Sequence, residues 1–452
     1  MAKITLAQAA AWCGGWVDPK YAEVTFLGAN NDSRKIQPGQ LFLALQGVRD
    51  GHDFIPMAME NGAAAVLCSR PQENIPAIVV DDVRIALGKI AAGERQRIGM
   101  KVVGVTGSVG KSTTKEMIAC VLSAGYRVAK TPANHNNDIG MPMAILAMPE
   151  DAQVAVLEMG MNHFGEISYL TNIAKPDFAV IINIGTMHIE HLGSQAGILQ
   201  AKLEILEGLQ PGGMLMLYGD DTHLWSVRNE LEVLPIYFGY KNPENTIQGY
   251  DVTVGENLSF KASFPGGMMN VNIPVEGEHY VSDAMAAISV GLVMGINPER
   301  IVDALGSFQN MEGRQEIFEA KGCTIIKDCY NAGPESMAAA LAVLGNRTGR
   351  KIAVLGDMLE LGVSTAAEHY KVGRIVAEKA DALLAYGPNS SRMVSGAVTG
   401  GMPDKFTGAF TDRDALVAAL KRLVKPGDVL LFKGSHGMHM ELALEKFLKD
   451  ET

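Results

Sequence analysis

Three glycines at three-residue spacing, Gly104, Gly107 and Gly110, lead directly into Lys111, Ser112 and Thr113. Glycines, which lack side chains, let backbone N–H groups approach a phosphate closely. The lysine brings a point charge to the outer phosphates, and the hydroxyl after it can hold Mg2+. A plain glycine turn would need neither. Nucleotide binding is therefore expected at Gly107, Ser108, Val109, Gly110, Lys111, Ser112 and Thr113. The spacing is GxxGxxGK[ST]; the first glycine of the ordinary GxxxxGK[ST] loop would fall at Val105.

A nucleotide in such a loop carries Mg2+, which wants oxygen ligands near the phosphates. Glu158 stands at the end of the apolar run 154–157, and His188 follows the run 178–184. Ligands in open parallel sheets gather at the carboxyl ends of strands, so both join Ser112 as candidate metal residues. The competing readings are an exposed loop acid for Glu158 and a capping histidine for His188. Lys202 falls in a helical segment, where its residue type alone reads as a solvated lysine.

These positions require a strand before the loop and a helix after it, expected over 101–105 and 111–124. The runs 154–157 and 178–182 are almost wholly apolar, as in a parallel sheet buried on both faces. Residues 248–273 alternate and are punctuated by glycine, which predicts antiparallel hairpins before a helix beginning near Gly277. Upstream, strands are expected over 41–45, 63–68 and 77–80, in a small α/β domain that ends before a helix over 84–98. After Gly313 and Arg314 a second strand–helix rhythm begins, with strands over 324–327, 352–355, 382–385 and 429–432, and reads as a Rossmann-like unit. The fold class is α/β with three domains, 1–82, 83–312 and 313–452.

A chain of 452 residues is too long for one ordinary core, which agrees with several domains. A formal charge of −11 argues against a nucleic-acid partner, which would call for a basic surface. The five cysteines are scattered without a CxxC pair, which removes zinc-ribbon, thioredoxin and disulfide-framework readings. Residues 1–17 read as an amphipathic first helix and not a signal peptide, and no run of 18 apolar residues occurs. A cytoplasmic protein with no membrane insertion is expected.

Together the motifs resemble the Mur ligase family over essentially the whole length. Asp32, Ser33 and Arg34, the stretch from Pro38 to Gly47, and Gly51, His52, Asp53 and Phe54 look like its UDP-sugar module. Asn134, Asn136, Asn137, Asp138, Gly140 and Pro142 follow the phosphate-loop helix as the family's substrate loop does. Glu158, Gly160, Asn162 and His163, with His188 and Glu190, match its magnesium and substrate segments. Ala201, Lys202 and Glu204 match the segment whose lysine is carbamylated. Asp328, Tyr330, Asn331 and Ala332, then Gly356, Asp357, Met358, Glu360 and Gly362, then Lys433, Gly434 and Ser435, fall in family order. Gly333, His436 and Asp283 depart from the residues usual at their positions.

The resemblance implies a UDP-sugar substrate-binding domain, a central P-loop ATP-binding domain, and a C-terminal domain that takes an incoming dipeptide and closes on ATP. It implies UDP-substrate contacts at Ser33, Arg34, Gly47 and Asn137, and ATP contacts at Arg314 and Asp328 besides the phosphate loop. Catalytic roles are implied for Lys111, Lys202 and His188. Two Mg2+ ions are implied at Ser112, Glu158, His188 and Lys202, the last as a carbamate. The implied reaction joins D-alanyl-D-alanine to UDP-N-acetylmuramoyl-tripeptide through an acyl phosphate, with ATP consumed, by a monomer. An amino-acid-adding ligase of the MurE type or a folylpolyglutamate synthase is the alternative.

Overall fold

The computed structural model describes residues 3–449. Its backbone divides into two compact units, one of Met1–Ile182, Gln200–Phe238 and Ala286–Ala304, the other of Asn183–Leu199, Gly239–Met285 and Leu305–Thr452. The units interleave along the chain.

In the first unit, helix Leu6–Cys13 is shorter than the expected 1–17. Thr5 and Gln8 form a reciprocal capping box at its start, and Gly14, at φ +74°, ends it. The following small sheet runs in the order Trp16–Val17, Ala77–Val79, Ala65–Cys68, Leu41–Leu43, Ala29–Asn30. Only the Trp16 edge is antiparallel. Helix Val83–Ile98 starts where the Asp82 carboxylate accepts the Arg84 and Ile85 N–H groups, and stops at Gly99, at φ +70°.

The central strands are parallel and ordered Val128–Lys130, Val154–Glu158, Lys101–Thr106, Phe178–Ile181, Met214–Tyr218. Val154, Val156 and Leu157 are fully buried, as a sheet covered on both faces demands. The strand carrying the phosphate loop lies between those leading to Glu158 and to 183–188. All three therefore deliver their carboxyl ends to one edge.

In the second unit, Ile247–Val254, Leu258–Phe264 and Gly267–Ile273 form the expected antiparallel meander, with a register shift between Tyr250 and Thr253. The C-terminal sheet is ordered Glu316–Ala320, Cys323–Asp328, Val429–Lys433, Lys351–Gly356, Ala382–Tyr386, Thr407–Phe410. Its first pair is an antiparallel hairpin and the rest are parallel. Two apolar clusters, one around Leu341 and Leu355 and one around Phe432 and Leu420, are built on it. The last strand inserts between the second and third, a topological switch that opens a crevice beside Asp328 and Lys433. Among the described residues no helix is long and apolar enough to cross a membrane.

Candidate active site

The strand Lys101–Thr106 runs into the glycine loop, and Gly110 takes φ +81° so that the chain can turn into helix Lys111–Ser123. A side chain at Gly110 would be strained in that conformation. Lys111 lies along the loop, its Nζ donating to the carbonyls of Gly107 at 2.9 Å and Ser108 at 3.2 Å. Ser108, Ser112 and Thr113 are buried.

Register places Glu158 beside Val105, just ahead of the loop. Ser112 Oγ donates to Glu158 Oε2 at 2.7 Å, and Asn136 Nδ2 donates to Oε1 at 2.8 Å. At 2% exposure Glu158 is not the exposed loop acid of the competing reading. Two hard oxygen ligands facing each other at the phosphate end of a P-loop suit Mg2+. Among the described residues no three His, Cys, Asp or Glu side chains form a metal cluster.

Lys202, on helix Gln195–Leu203, is also 2% exposed, which overturns the solvated reading. Burial, with the nearby Lys111 charge adding to it, holds its pKa well below the usual lysine range.

His188 lies in the second unit at φ +64°, and Glu360 there has φ +62°. Both occupy the left-handed region, which is uncommon for side chains other than glycine's. His188 occupies the N-cap of the short helix Ile189–Leu192 but makes no side-chain cap bond. Its Nδ1 is 2.9 Å from Glu360 Oε2, within ion-pair distance but outside hydrogen-bond geometry. Two residues earlier, the Thr186 N–H and hydroxyl both donate to Glu335 Oε1 at 2.9 Å.

Ser33 is buried, its hydroxyl 3.3 Å from Met57 Sδ and its carbonyl accepting from Asn61. Arg34 is exposed and holds Asp32 through two hydrogen bonds, which pull that carboxyl down to about 2. Gly47 lies in the exposed turn bridged by Gln46 and Asp50. Asn137 Oδ1 accepts from the N–H groups of Ile139 and Gly140, so the side chain shapes the entry to helix Gly140–Leu146.

At the crevice of the C-terminal sheet, Lys433 Nζ donates to Asp328 Oδ2 at 2.6 Å and to the Asn331 carbonyl at 2.9 Å. Arg314 stacks 4.0 Å from the centre of the Tyr330 ring. At Gly333 a Cβ would lie 2.4 Å from Met187 Sδ, so a larger residue there would require that flexible side chain to move. Asp283 is buried, and His436 lies 6.0 Å from the Tyr330 ring.

Lys115, Thr131, Glu335 and His369 carried no expectation. His369, fully buried, accepts the Met358 N–H at 3.0 Å and so braces the Gly356–Gly362 motif from behind.

Residues 105–291 match the Mur ligase middle domain, 313–436 the Mur ligase glutamate ligase domain, and 23–97 the Mur ligase family catalytic domain. A UDP-N-acetylmuramoyl-tripeptide–D-alanyl-D-alanine ligase of Bacillus subtilis is 40% identical over 95% of this chain and 94% of its own length. The Escherichia coli ligase of the same name is 35% identical over the whole of both chains. Among solved structures, MurF from Acinetobacter baumannii superposes with a TM-score of 0.91 at 33% identity, covering 100% of both chains. MurF from Thermotoga maritima in complex with ADP gives 0.80 at 29% identity, covering 93% of this chain and 97% of that one. The chain belongs to the Mur ligase family. With that family it is an ATP-dependent ligase that forms a peptide bond.

Proposed function

We propose that this chain joins D-alanyl-D-alanine to the terminal carboxylate of UDP-N-acetylmuramoyl-tripeptide, with ATP as phosphoryl donor. The observation that carries this reading is the junction of the phosphate loop with Glu158, in a chain similar over its full length to ligases named for that reaction. A carboxylate is a poor acceptor for an amine, so it first needs a leaving group. Its oxygen attacks the γ-phosphorus, ADP departs, and an acyl phosphate results. The dipeptide amine then attacks the acyl carbon, loses a proton, and inorganic phosphate leaves.

Lys111 brings positive charge to the transferring phosphoryl group, within the loop 107–113. Ser112 and Glu158 would hold Mg2+, which supplies the charge neutralisation that two approaching anions need. His188 is assigned a metal-holding and catalytic role. Lys202 is assigned as a carbamate: its neutral amine attacks carbon dioxide, a C–N bond forms and one proton is released. The resulting anion offers two oxygens to a hard cation, where an ammonium would offer only donors. Burial of the amine supports this assignment.

Residues 1–82 are assigned to the UDP-sugar through Ser33, Arg34 and Gly47, with Asn137 contributing. Residues 83–312 are assigned to ATP, and 313–452 to the dipeptide, with Arg314 and Asp328 on the nucleotide. Tripeptide carrying heavy oxygen in its terminal carboxylate tests the route. Label appearing in the released phosphate supports the acyl phosphate; product formed with unlabelled phosphate contradicts it.

A further inference from the structure

Lys115 is a fully buried lysine on helix Lys111–Ser123. Burying an ammonium is expensive unless it is bonded and paired, and an apolar side chain of similar volume is often as stable or more so. Here the Nζ donates to the carbonyls of Thr131 at 2.7 Å and Ala133 at 3.3 Å. It lies 3.8 Å from Glu158 Oε2 and 3.4 Å from Glu116 Oε1, and Glu116 is also paired with Lys130.

Thr131 is bonded twice in this arrangement. Its carbonyl takes the Lys115 ammonium, and its hydroxyl accepts the Glu158 N–H at 3.1 Å. Two residues on, Ala133 is held at φ +42°, a conformation that alanine adopts only under constraint. The same turn then supplies Asn136, whose amide donates to Glu158 Oε1 and whose carbonyl accepts the Gly160 N–H. The ammonium thus sits where the turn 131–137 and the Glu158 carboxylate converge.

We propose that Lys115 is a positioning residue for the ligase reaction, tying the turn 131–137 to Glu158 so that the carboxylate is preset toward Ser112 and the phosphates. This rests on the reading of Glu158 as a magnesium acceptor, so one measurement is made without metal. A purely structural lysine would stabilise the turn with no consequence for nucleotide binding.

The tests use the full chain. In metal-free protein, Lys115→Gln should speed amide hydrogen exchange in residues 131–137 at least tenfold while exchange in helix Val83–Ile98 is unchanged. Unaltered exchange in the turn overturns the hold of Lys115 whatever the metal does. Calorimetry of ADP binding with and without Mg2+ then gives the metal-dependent gain in affinity. Lys115→Gln should reduce that gain at least fivefold, and Lys115→Arg should recover most of it. In a Glu158→Gln background, Lys115→Gln should change the gain less than twofold, because the effect passes through Glu158. A full gain in Lys115→Gln, or an equal loss in both backgrounds, overturns the proposal. If Lys115→Gln does not fold, Lys115→Met takes its place in every arm with the same expected outcomes.

Discussion

Ser112 Oγ and Glu158 Oε2 are 2.7 Å apart although the two residues lie 46 positions apart in sequence. One belongs to the first turn of the phosphate-loop helix, the other to the last residue of the neighbouring parallel strand. The contact exists because parallel register aligns Glu158 with Val105, and the loop then turns back over the strand end. Glu158→Ala should remove an oxygen ligand and raise the Mg2+ concentration needed for half-maximal turnover at least tenfold. Unchanged magnesium dependence in a folded variant would separate Glu158 from the metal.

Lys111→Ala should lower kcat by about 100-fold or more, the scale on which a positioned charge acts at a reacting centre. Its side chain bonds the carbonyls of Gly107 and Ser108 within its own loop, so the thermal midpoint should move little. Near-normal turnover would overturn the assignment of the loop.

Lys202 gives a prediction with a definite sign. Its pKa is depressed in the folded protein, so between that lowered value and the usual 10.5 the unfolded chain binds more protons. Without the carbamate, stability should therefore rise with pH across that window and fall as pH drops through it. In carbon-dioxide-depleted protein, Lys202→Met should flatten the slope and raise the midpoint at neutral pH. Activity should show the opposite: Lys202→Ala loses nearly all turnover, short carboxylic acids restore part of it, and bicarbonate raises the activity of depleted wild type. A fully active Lys202→Ala would exclude the carbamate.

The Lys433–Asp328 pair is buried at the lysine end, with side-chain exposures of 3% and 17%. Asp328→Ala leaves an ammonium without its carboxylate and should cost roughly 3 kcal/mol of stability, read by urea unfolding. A loss confined to activity, with stability unchanged, would mean that Asp328 contributes only to the ligand.

Much of the frame was legible because burial on two faces writes continuous apolar runs, as at Val154–Glu158 and Phe178–Ile181. Val128–Lys130 escaped notice because it has three residues, one of them an exposed lysine. The meander was legible from alternation, and its buried positions do alternate along Gly267–Ile273. Glycine and hydroxyl spacing announced the phosphate loop, since its chemistry is local. Lys202 and Lys115 were different. Nothing in a local pattern tells a buried lysine from a solvated one, because burial comes from residues distant in the chain. The Lys115 bonds to 131 and 133, and the Glu335 bonds to Thr186, belong to the same class of long-range information.

The most direct test of the central claim is ATP-dependent phosphate release with UDP-N-acetylmuramoyl-tripeptide and a panel of amine acceptors. D-alanyl-D-alanine should support release and yield a ligated product of the summed mass less one water, while meso-diaminopimelate, lysine and glutamate support at most about one hundredth of that rate, a discrimination of roughly 3 kcal/mol. Efficient release with any of those three, and none with the dipeptide, would contradict the account.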